Sequence, residues 1–93
     1  MIRSFRTKEA ETLYRRRPIR KLPPSIHRVA LRKPILLDAA TMLDDLRASP
    51  GNRLEKLVGK RTGQHSIRIN DQWRICFRWH NGDAFDVEIV DYH

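Results

Sequence analysis

The sequence has little of what several classes of protein require. It contains a single cysteine, Cys76, which excludes an intramolecular disulfide and a zinc site built from several cysteines. It has no run of about 18 apolar residues, so we expect no transmembrane helix. Its first residues also lack the apolar segment of a secretion signal. We therefore expect a cytoplasmic protein that does not associate with a membrane.

Common motifs of cofactor and metal chemistry are missing as well. The chain has no glycine-rich phosphate loop and no nucleophile elbow. No metal-ligand spacing relates its four histidines, which are His27, His65, His80 and His93. The sequence therefore predicts neither a cofactor nor a metal. Without a histidine partner in the strands predicted below, Cys76 is interpreted as structural rather than nucleophilic.

Acidic residues are few relative to basic ones. Nineteen Lys and Arg face eleven Asp and Glu, which gives a formal charge of +8 and a pI near 10.6. Such a surface can simply keep a protein in solution, but it favours an anionic partner, and nucleic acid is the usual one. With 93 residues, 40% of them hydrophobic, residues 1–93 are expected to form one domain with a modest core.

The opening residues predict a short strand and a helix. Ile2 and Phe5 indicate the strand. Thr7 is a suitable N-cap for a helix that carries acids in its first turn and residues 15–17, all arginine, in its last turn. Pro18 then ends that helix.

Two more helices are predicted before the middle of the chain. Ser25 is the expected N-cap of the second, and Pro34 inside it should kink or split the helix near Lys33. Residues 41–46 can form a further short helix before the turn sequence SPGN.

Alternating strands follow the helices. Apolar residues recur every second position in 65–70, 73–80 and 84–92, which predicts an antiparallel meander with one buried and one open face. The buried set in the middle strand is Trp73, Ile75, Phe77 and Trp79. The first half of the chain is thus predicted to be helical and the second half to consist of strands.

The apolar residues also suggest how the strands pair. A two-residue turn at 81–82 would place apolar side chains opposite charged ones, so we predict a three-residue loop at 81–83. The expected pairs are Trp79 with Phe85, Phe77 with Val87, and Ile75 with Ile89. A three-residue loop at 70–72 similarly places Arg68 opposite Arg74 on the open face.

This arginine pair can be interpreted in two ways. Like charges directly opposite one another cost up to about 1 kcal/mol. Glu88, a diagonal neighbour, could neutralise Arg74, or both guanidinium groups could extend into water. Alternatively, the pair is a phosphate site, since the arginine fork suits phosphate well. Arg78 is expected opposite Asp86, and Tyr92 at the rim of the site.

The last three residues, Asp91, Tyr92 and His93, add groups that can move protons. Taken singly, each has an ordinary structural explanation: a strand-end acid, an amphipathic phenol and a solvated imidazole. Together with the two arginines they provide the groups needed for RNA cleavage without a metal. Cations stabilise the scissile phosphate, and a phenol, imidazole or carboxylate transfers protons.

The segment GNRLEKLVGKRTGQHSIRINDQWRICFRW, followed by NGDAFDVEIVDYH, closely resembles the HigB-type toxins of the RelE superfamily. The opening MIRSFRTKEAETLY also fits, so the resemblance covers nearly all of the chain. It implies a RelE-like α+β domain with N-terminal helices packed on a mostly antiparallel sheet of four or five strands. It further implies ribosome-dependent cleavage of mRNA in the A site, in which the substrate 2′-hydroxyl attacks the adjacent phosphate. The implied partner is a HigA-type helix-turn-helix antitoxin, and operator DNA would be bound only through that complex.

The resemblance also suggests roles for individual residues. Arg74 matches the arginine of the family motif and would stabilise transition-state charge, while Asp91, Tyr92 and His93 match the C-terminal motif. Glu55 stands where some relatives have a histidine, so Glu55, Tyr92 and His93 all remain candidates for the general base. Contacts to RNA are expected from basic residues around the site and along the second helix, namely Lys56, Arg68, Arg28, Arg32 and Lys33. The alternative is a non-catalytic RNA- or DNA-binding module, or a corepressor that acts with its antitoxin.

Overall fold

A computed structural model describes residues 1–20 and 22–91. Within these residues, three α-helices precede four strands. They are α1 (Lys8–Tyr14), α2 (His27–Ala39), α3 (Leu43–Arg47), β1 (Glu55–Lys56), β2 (Gln64–Arg68), β3 (Trp73–His80) and β4 (Asp83–Asp91). The strands form one antiparallel sheet in the order β1-β2-β3-β4. The predicted α+β class, with N-terminal helices and a four-stranded antiparallel sheet, is confirmed.

Helix α1 begins as predicted and ends early. The Thr7 hydroxyl accepts a hydrogen bond from the Ala10 N–H at 3.2 Å, which caps the first turn. The helix ends at Tyr14, because Arg16 adopts a left-handed φ of 63°. The Arg16 and Arg17 amides then close back onto the carbonyls of residues 13 and 12 in a Schellman motif. All three residues of the basic triplet thus follow the helix rather than forming its last turn.

Helix α2 differs from the prediction at both of its expected landmarks. Ser25 is not its N-cap, because Pro24–Ile26 forms a 3₁₀ turn and the helix begins at His27 without a side-chain cap. Pro34 does not split the helix, which is continuous from His27 to Ala39. Pro34 is buried on the same stripe as Ala30 and Leu37, so core packing opposes the loss of one backbone hydrogen bond.

The predicted third helix is confirmed as α3. Its start is held by Asp45, whose carboxylate accepts hydrogen bonds from the Thr41 and Met42 amides at 2.9 and 3.0 Å. Because these backbone N–H groups donate to the charged form of the carboxylate, they hold the pKa of Asp45 below its usual value.

The predicted opening strand is reduced to two isolated parallel bridges, Ile2 to Ala84 and Phe5 to Val87. Helix α2 supports this segment, since the Asp38 carboxylate accepts a 2.8 Å hydrogen bond from the Ile2 amide. The first six residues therefore lie along β4, on the edge of the sheet opposite β1.

The core lies between the helices and one face of the sheet. Its fully buried members come from both layers: Leu13, Ala30, Leu37, Ile67, Ile75, Phe77 and Val87. The alternation predicted for the strands supplies the sheet side of this layer, and Arg74 and Cys76 point to the opposite face.

The tip of the β3–β4 hairpin differs from the predicted pairing. Its loop is the two-residue Asn81-Gly82 turn, in which both residues have positive φ, and Trp79 pairs with Ala84. The predicted three-residue loop and the pair of Trp79 with Phe85 are wrong.

A β-bulge explains why the base of this hairpin was nevertheless predicted correctly. Ile75 pairs with Ile89 as expected, and the register shifts by one residue between Cys76 and Arg78. The extra residue lies in β4, where Asp86 has a φ of 53°. Arg78 therefore pairs with Phe85, although its guanidinium still lies 3.7 Å from the Asp86 carboxylate.

The second face of the sheet was predicted to be open, but the structure shows that it is covered over β2 and β3. Ser66 and Cys76 are fully buried there, and Arg74 is only 7% exposed. The chain between α3 and β2 lies against this face: the Arg53 carbonyl reaches Arg74, and Arg61 reaches Glu88. The candidate site therefore forms under an irregular segment, not on a flat sheet surface.

Candidate active site

Arg74 is anchored by neutral oxygen atoms. Its Nε donates to Ser66 Oγ at 2.8 Å, and its Nη2 donates to the Arg53 carbonyl at 2.6 Å. A weaker bond joins Nη2 to the Ser66 carbonyl at 3.4 Å. These neutral acceptors hold the guanidinium in a fixed orientation.

The Arg53 carbonyl is placed there by an unusual backbone conformation. Arg53 follows the 3₁₀ turn Pro50–Asn52 and adopts left-handed angles, φ 44° and ψ 57°. Such angles are uncommon for residues other than glycine and asparagine. The turn itself is fixed by the buried Asn52, whose amide donates to the Leu46 carbonyl at 3.0 Å. Strain of this kind at a functional site is expected where one carbonyl must point in a set direction.

Glu55 lies beside Arg74. It pairs with Ser66 across β1 and β2, so both side chains are on the covered face. One Glu55 carboxylate oxygen is 3.8 Å from Arg74 Nη1, and the Glu55 side chain is 55% exposed. Glu55 is thus placed next to the predicted catalytic arginine, at the solvent side.

Lys56 lies on the other face of β1. It pairs with His65, whose ring stacks on Phe77 with centroids 5.9 Å apart. Burial, followed by the nearby Lys56 charge, lowers the pKa of His65. The structure thus separates Lys56 from Arg74, although the sequence predicted both near one RNA site.

Arg68 is directly opposite Arg74, as predicted. The repulsion is limited because the two guanidinium groups have different partners. Arg68 pairs with Asp71 in the β2–β3 loop, whereas Arg74 is held by Ser66, Arg53 and Glu55. Neither predicted alternative for the pair, neutralisation by Glu88 or extension of both side chains into water, describes Arg74.

Glu88 has basic partners on two other segments. Its carboxylate lies 3.2 Å from Arg61 Nη1 and 3.7 Å from Arg6 Nε, and the side chain is only 17% exposed. The same Arg61 Nη1 donates to the Gln64 side-chain oxygen at 3.1 Å. We refer to Arg61, Gln64 and Glu88 as the Arg61 cluster.

Asp91 ends the described part of β4. It pairs with Trp73, the neighbour of Arg74, and its carboxylate accepts a 3.1 Å hydrogen bond from Gln72. Tyr92 and His93 lie outside the described residues, so their predicted roles stay predictions. In residues 1–20 and 22–91, no group of three His, Cys, Asp or Glu side chains could hold a metal ion.

A family model described as RelE-like toxin of type II toxin-antitoxin system HigB matches residues 3–93. The chain belongs to the HigB family. Toxin HigB-1 of Vibrio cholerae serotype O1 is 46% identical over 68 residues, which cover 73% of this chain and 72% of that protein. Endoribonuclease HigB of Proteus vulgaris is 33% identical over 94 aligned positions, covering 100% of both. The protein is therefore a toxin of a type II toxin-antitoxin system, and an antitoxin is its partner.

The structure of this HigB-family toxin places the predicted RNA-binding residues Arg28, Arg32 and Lys33 on α2. Arg28 and Arg32 are exposed, and the Lys33 ammonium donates to the Asn52 side chain. Burial lowers the pKa of Lys33, and the charges of Arg32 and Arg68 lower it further. Arg32 and Lys33 line a cavity of about 420 Å³ on this helix. In the described residues of the toxin, no helix is long and apolar enough to cross a bilayer.

Sequence reasoning missed three groups that build the site of this toxin: Ser66, the Arg53 carbonyl and Arg61. Ser66 could have been found, because the correct β2–β3 register makes it a diagonal neighbour of Arg74 on the same face. The other two lie in irregular segments without periodicity, so no sequence pattern places them.

Proposed function

We propose that this toxin is a ribosome-dependent endoribonuclease that cleaves mRNA in the ribosomal A site. The observation that carries the proposal is the arrangement of Arg74 beside Glu55. A nearly buried guanidinium is held by neutral oxygens, and a half-exposed carboxylate lies 3.8 Å from its Nη1. A fixed cation next to an accessible proton acceptor is the arrangement that phosphoester cleavage requires. The name of the Proteus vulgaris relative, Endoribonuclease HigB, agrees with this activity.

The proposed reaction takes its nucleophile from the substrate. A general base removes the proton of the 2′-hydroxyl, and the 2′-oxygen forms a bond to the adjacent phosphorus. The bond from phosphorus to the 5′-oxygen breaks, and that oxygen receives a proton from a general acid. The products are a 2′,3′-cyclic phosphate and a free 5′-hydroxyl. Because the RNA supplies the nucleophile, the reaction as proposed needs no nucleophilic side chain and no metal ion.

Each candidate residue has a defined part in this scheme. Arg74 stabilises the negative charge that grows on the phosphate oxygens. Glu55 is the proposed base, since it is accessible and adjacent to Arg74. Proton return to the leaving oxygen is assigned to the C-terminal motif, Asp91, Tyr92 and His93.

Recognition of RNA is proposed for the basic residues around and beyond the site. Arg28, Arg32 and Lys33 on α2 would contact ribosomal RNA, and Arg68 and Lys56 would contact RNA phosphates. The formal charge of +8 supports binding to a polyanion, with an affinity that should fall as salt rises. In the resting cell, a HigA-type helix-turn-helix antitoxin would hold the toxin, and the complex would bind operator DNA through the antitoxin.

The proposal is tested with Arg74→Ala. Removal of one fixed electrostatic donor typically lowers a rate by about 10²–10³-fold, so induced Arg74→Ala should not arrest growth. Primer extension on mRNA should show discrete cuts within codons for the wild type and none for the variant. Copurification with the antitoxin should be unchanged, which shows that the variant is folded.

Arg78→Ala is the matched control. It removes an arginine from the same strand, but one that is 46% exposed and paired with Asp86. This control should still cleave mRNA. Arrested growth with intact mRNA in the wild type would instead support a non-catalytic binding module, and full toxicity of Arg74→Ala would contradict the site assignment.

A further inference from the structure

We propose that Arg61 is a positioning residue that keeps the Glu88 carboxylate away from Arg74. The proposal rests on the function proposed above, because a second carboxylate beside Arg74, in addition to Glu55, would compete with the phosphate for this arginine. Arg61 itself need not contact the substrate.

The sheet places Glu88 within reach of Arg74. Arg74 pairs with Val90 and Cys76 pairs with Glu88, so Glu88 and Arg74 are diagonal neighbours on the same face. Diagonal pairs of long side chains can meet across antiparallel strands. A carboxylate that is 17% exposed is poorly hydrated and needs a cationic partner.

Arg61 supplies that partner from another direction. Arg61 lies on the segment that covers the sheet. Its Nη1 is 3.2 Å from the Glu88 carboxylate and 3.1 Å from the Gln64 side-chain oxygen. Gln64 is itself 6% exposed, so its oxygen fixes the Arg61 side chain from a buried position. Arg6 adds a weaker contact to Glu88 at 3.7 Å from a side chain that is 58% exposed.

Loss of Arg61 should therefore affect Arg74 through Glu88. With its main partner removed, the mostly buried Glu88 carboxylate keeps, among the described residues, only the exposed Arg6, and we expect it to turn toward the buried, diagonal Arg74. An ion pair there would cancel part of the charge that the phosphate requires, and it would pull the guanidinium away from Ser66 Oγ.

The test compares four variants with the wild type by primer extension: Arg61→Gln, Arg61→Lys, Glu88→Gln and the double variant Arg61→Gln/Glu88→Gln. Arg61→Gln should lower the cleavage rate about tenfold, a part of the about 10²–10³-fold effect of removing a fixed cation. Arg61→Lys should keep most of the activity, and Glu88→Gln should cleave like the wild type. The double variant should recover nearly full activity, because the Glu88 carboxylate that would compete for Arg74 is absent.

Arg6→Gln serves as the charge-matched control. It removes one positive charge near Glu88 but leaves the Arg61 contact in place, so its effect should be small. A double variant as impaired as Arg61→Gln would overturn the proposal and leave Arg61 with a purely structural role. Wild-type activity of Arg61→Gln would overturn it as well.

A spectroscopic measurement separates this proposal from the proposed function. The ¹H–¹⁵N resonance of Arg74 Nε should shift in Arg61→Gln and return to its wild-type position in the double variant. If the wild type did not cleave mRNA at all, the proposed function would fail, and this resonance alone would decide whether Arg61 positions Arg74. An unchanged resonance in Arg61→Gln would refute the positioning role even if mRNA cleavage were established.

Discussion

Ser66→Ala should destabilise the protein by removing one buried, charge-assisted hydrogen bond. Ser66 is fully buried, and its hydroxyl accepts from Arg74 Nε at 2.8 Å. Hydrogen bonds to charged groups contribute about 1.5–3 kcal/mol. Since about 1 kcal/mol shifts the Tm of a domain of this size by about 4–8 °C, the expected decrease in Tm is about 6–24 °C. The free energy of unfolding is measured by urea denaturation followed by circular dichroism.

A double-mutant cycle shows whether the loss comes from this bond. Arg74→Met keeps most of the apolar stem of the side chain and removes the donor. In that background Ser66→Ala should cost almost nothing, because a buried hydroxyl without its partner no longer contributes. If Ser66→Ala cost the same in both backgrounds, the hydroxyl would stabilise the protein by some other contact, and the anchoring of Arg74 described above would be wrong.

Two further predictions concern other parts of the fold. Gly82→Ala should lower the free energy of unfolding by about 1–3 kcal/mol, because φ is +81° there and the added Cβ would lie 3.1 Å from the Thr41 carbonyl oxygen. Urea denaturation beside Gly51→Ala, where nothing lies within 4 Å of the new Cβ, tests this, and equal losses would contradict it. Asp45→Asn should destabilise the protein near neutral pH, because the folded state lowers the pKa of Asp45. The stability that this carboxylate contributes is fully present above its usual pKa of 3.8 and is lost as the pH falls through the folded-state value. Unfolding measured against pH, with Asp44→Asn as the control on the same helix, should show the difference disappear in acid, and a difference that persisted there would refute the assignment.

Much of the fold could be predicted because the periodicity is strong. The Thr7 cap, the α3 segment and the alternation of β3 depend on neighbouring residues, and each is confirmed. The hairpin tip was predicted incorrectly because the prediction assumed an uninterrupted ladder. Once a bulge adds one residue at Asp86, the favoured Asn81-Gly82 turn and the pairing of Ile75 with Ile89 are compatible.

The candidate site could be predicted only in part. The strand register placed Arg68 opposite Arg74, but it did not indicate that this face is covered. Burial of Arg74 depends on the left-handed Arg53, and no periodic pattern signals that conformation. The same covering segment brings Arg61 to Glu88, which the sequence offered only as one alternative partner of Arg74. Long-range contacts from irregular segments thus account for most of what the sequence did not reveal.

The bulge at Asp86 also makes the strand register at the hairpin tip independent of the register at the candidate site. The pairs of Arg74 with Val90 and Ile75 with Ile89 lie on one side of it, and the Asn81-Gly82 turn lies on the other. Deletion of one turn residue would remove the bulge instead, because an uninterrupted ladder beyond Ile75 and Ile89 would then again leave a two-residue loop, with both of those pairs in place. A one-residue deletion at the turn can therefore be absorbed at the bulge without displacing the arginine. This gives the toxin a terminal hairpin whose outer end is free to vary in length while its inner end stays in register.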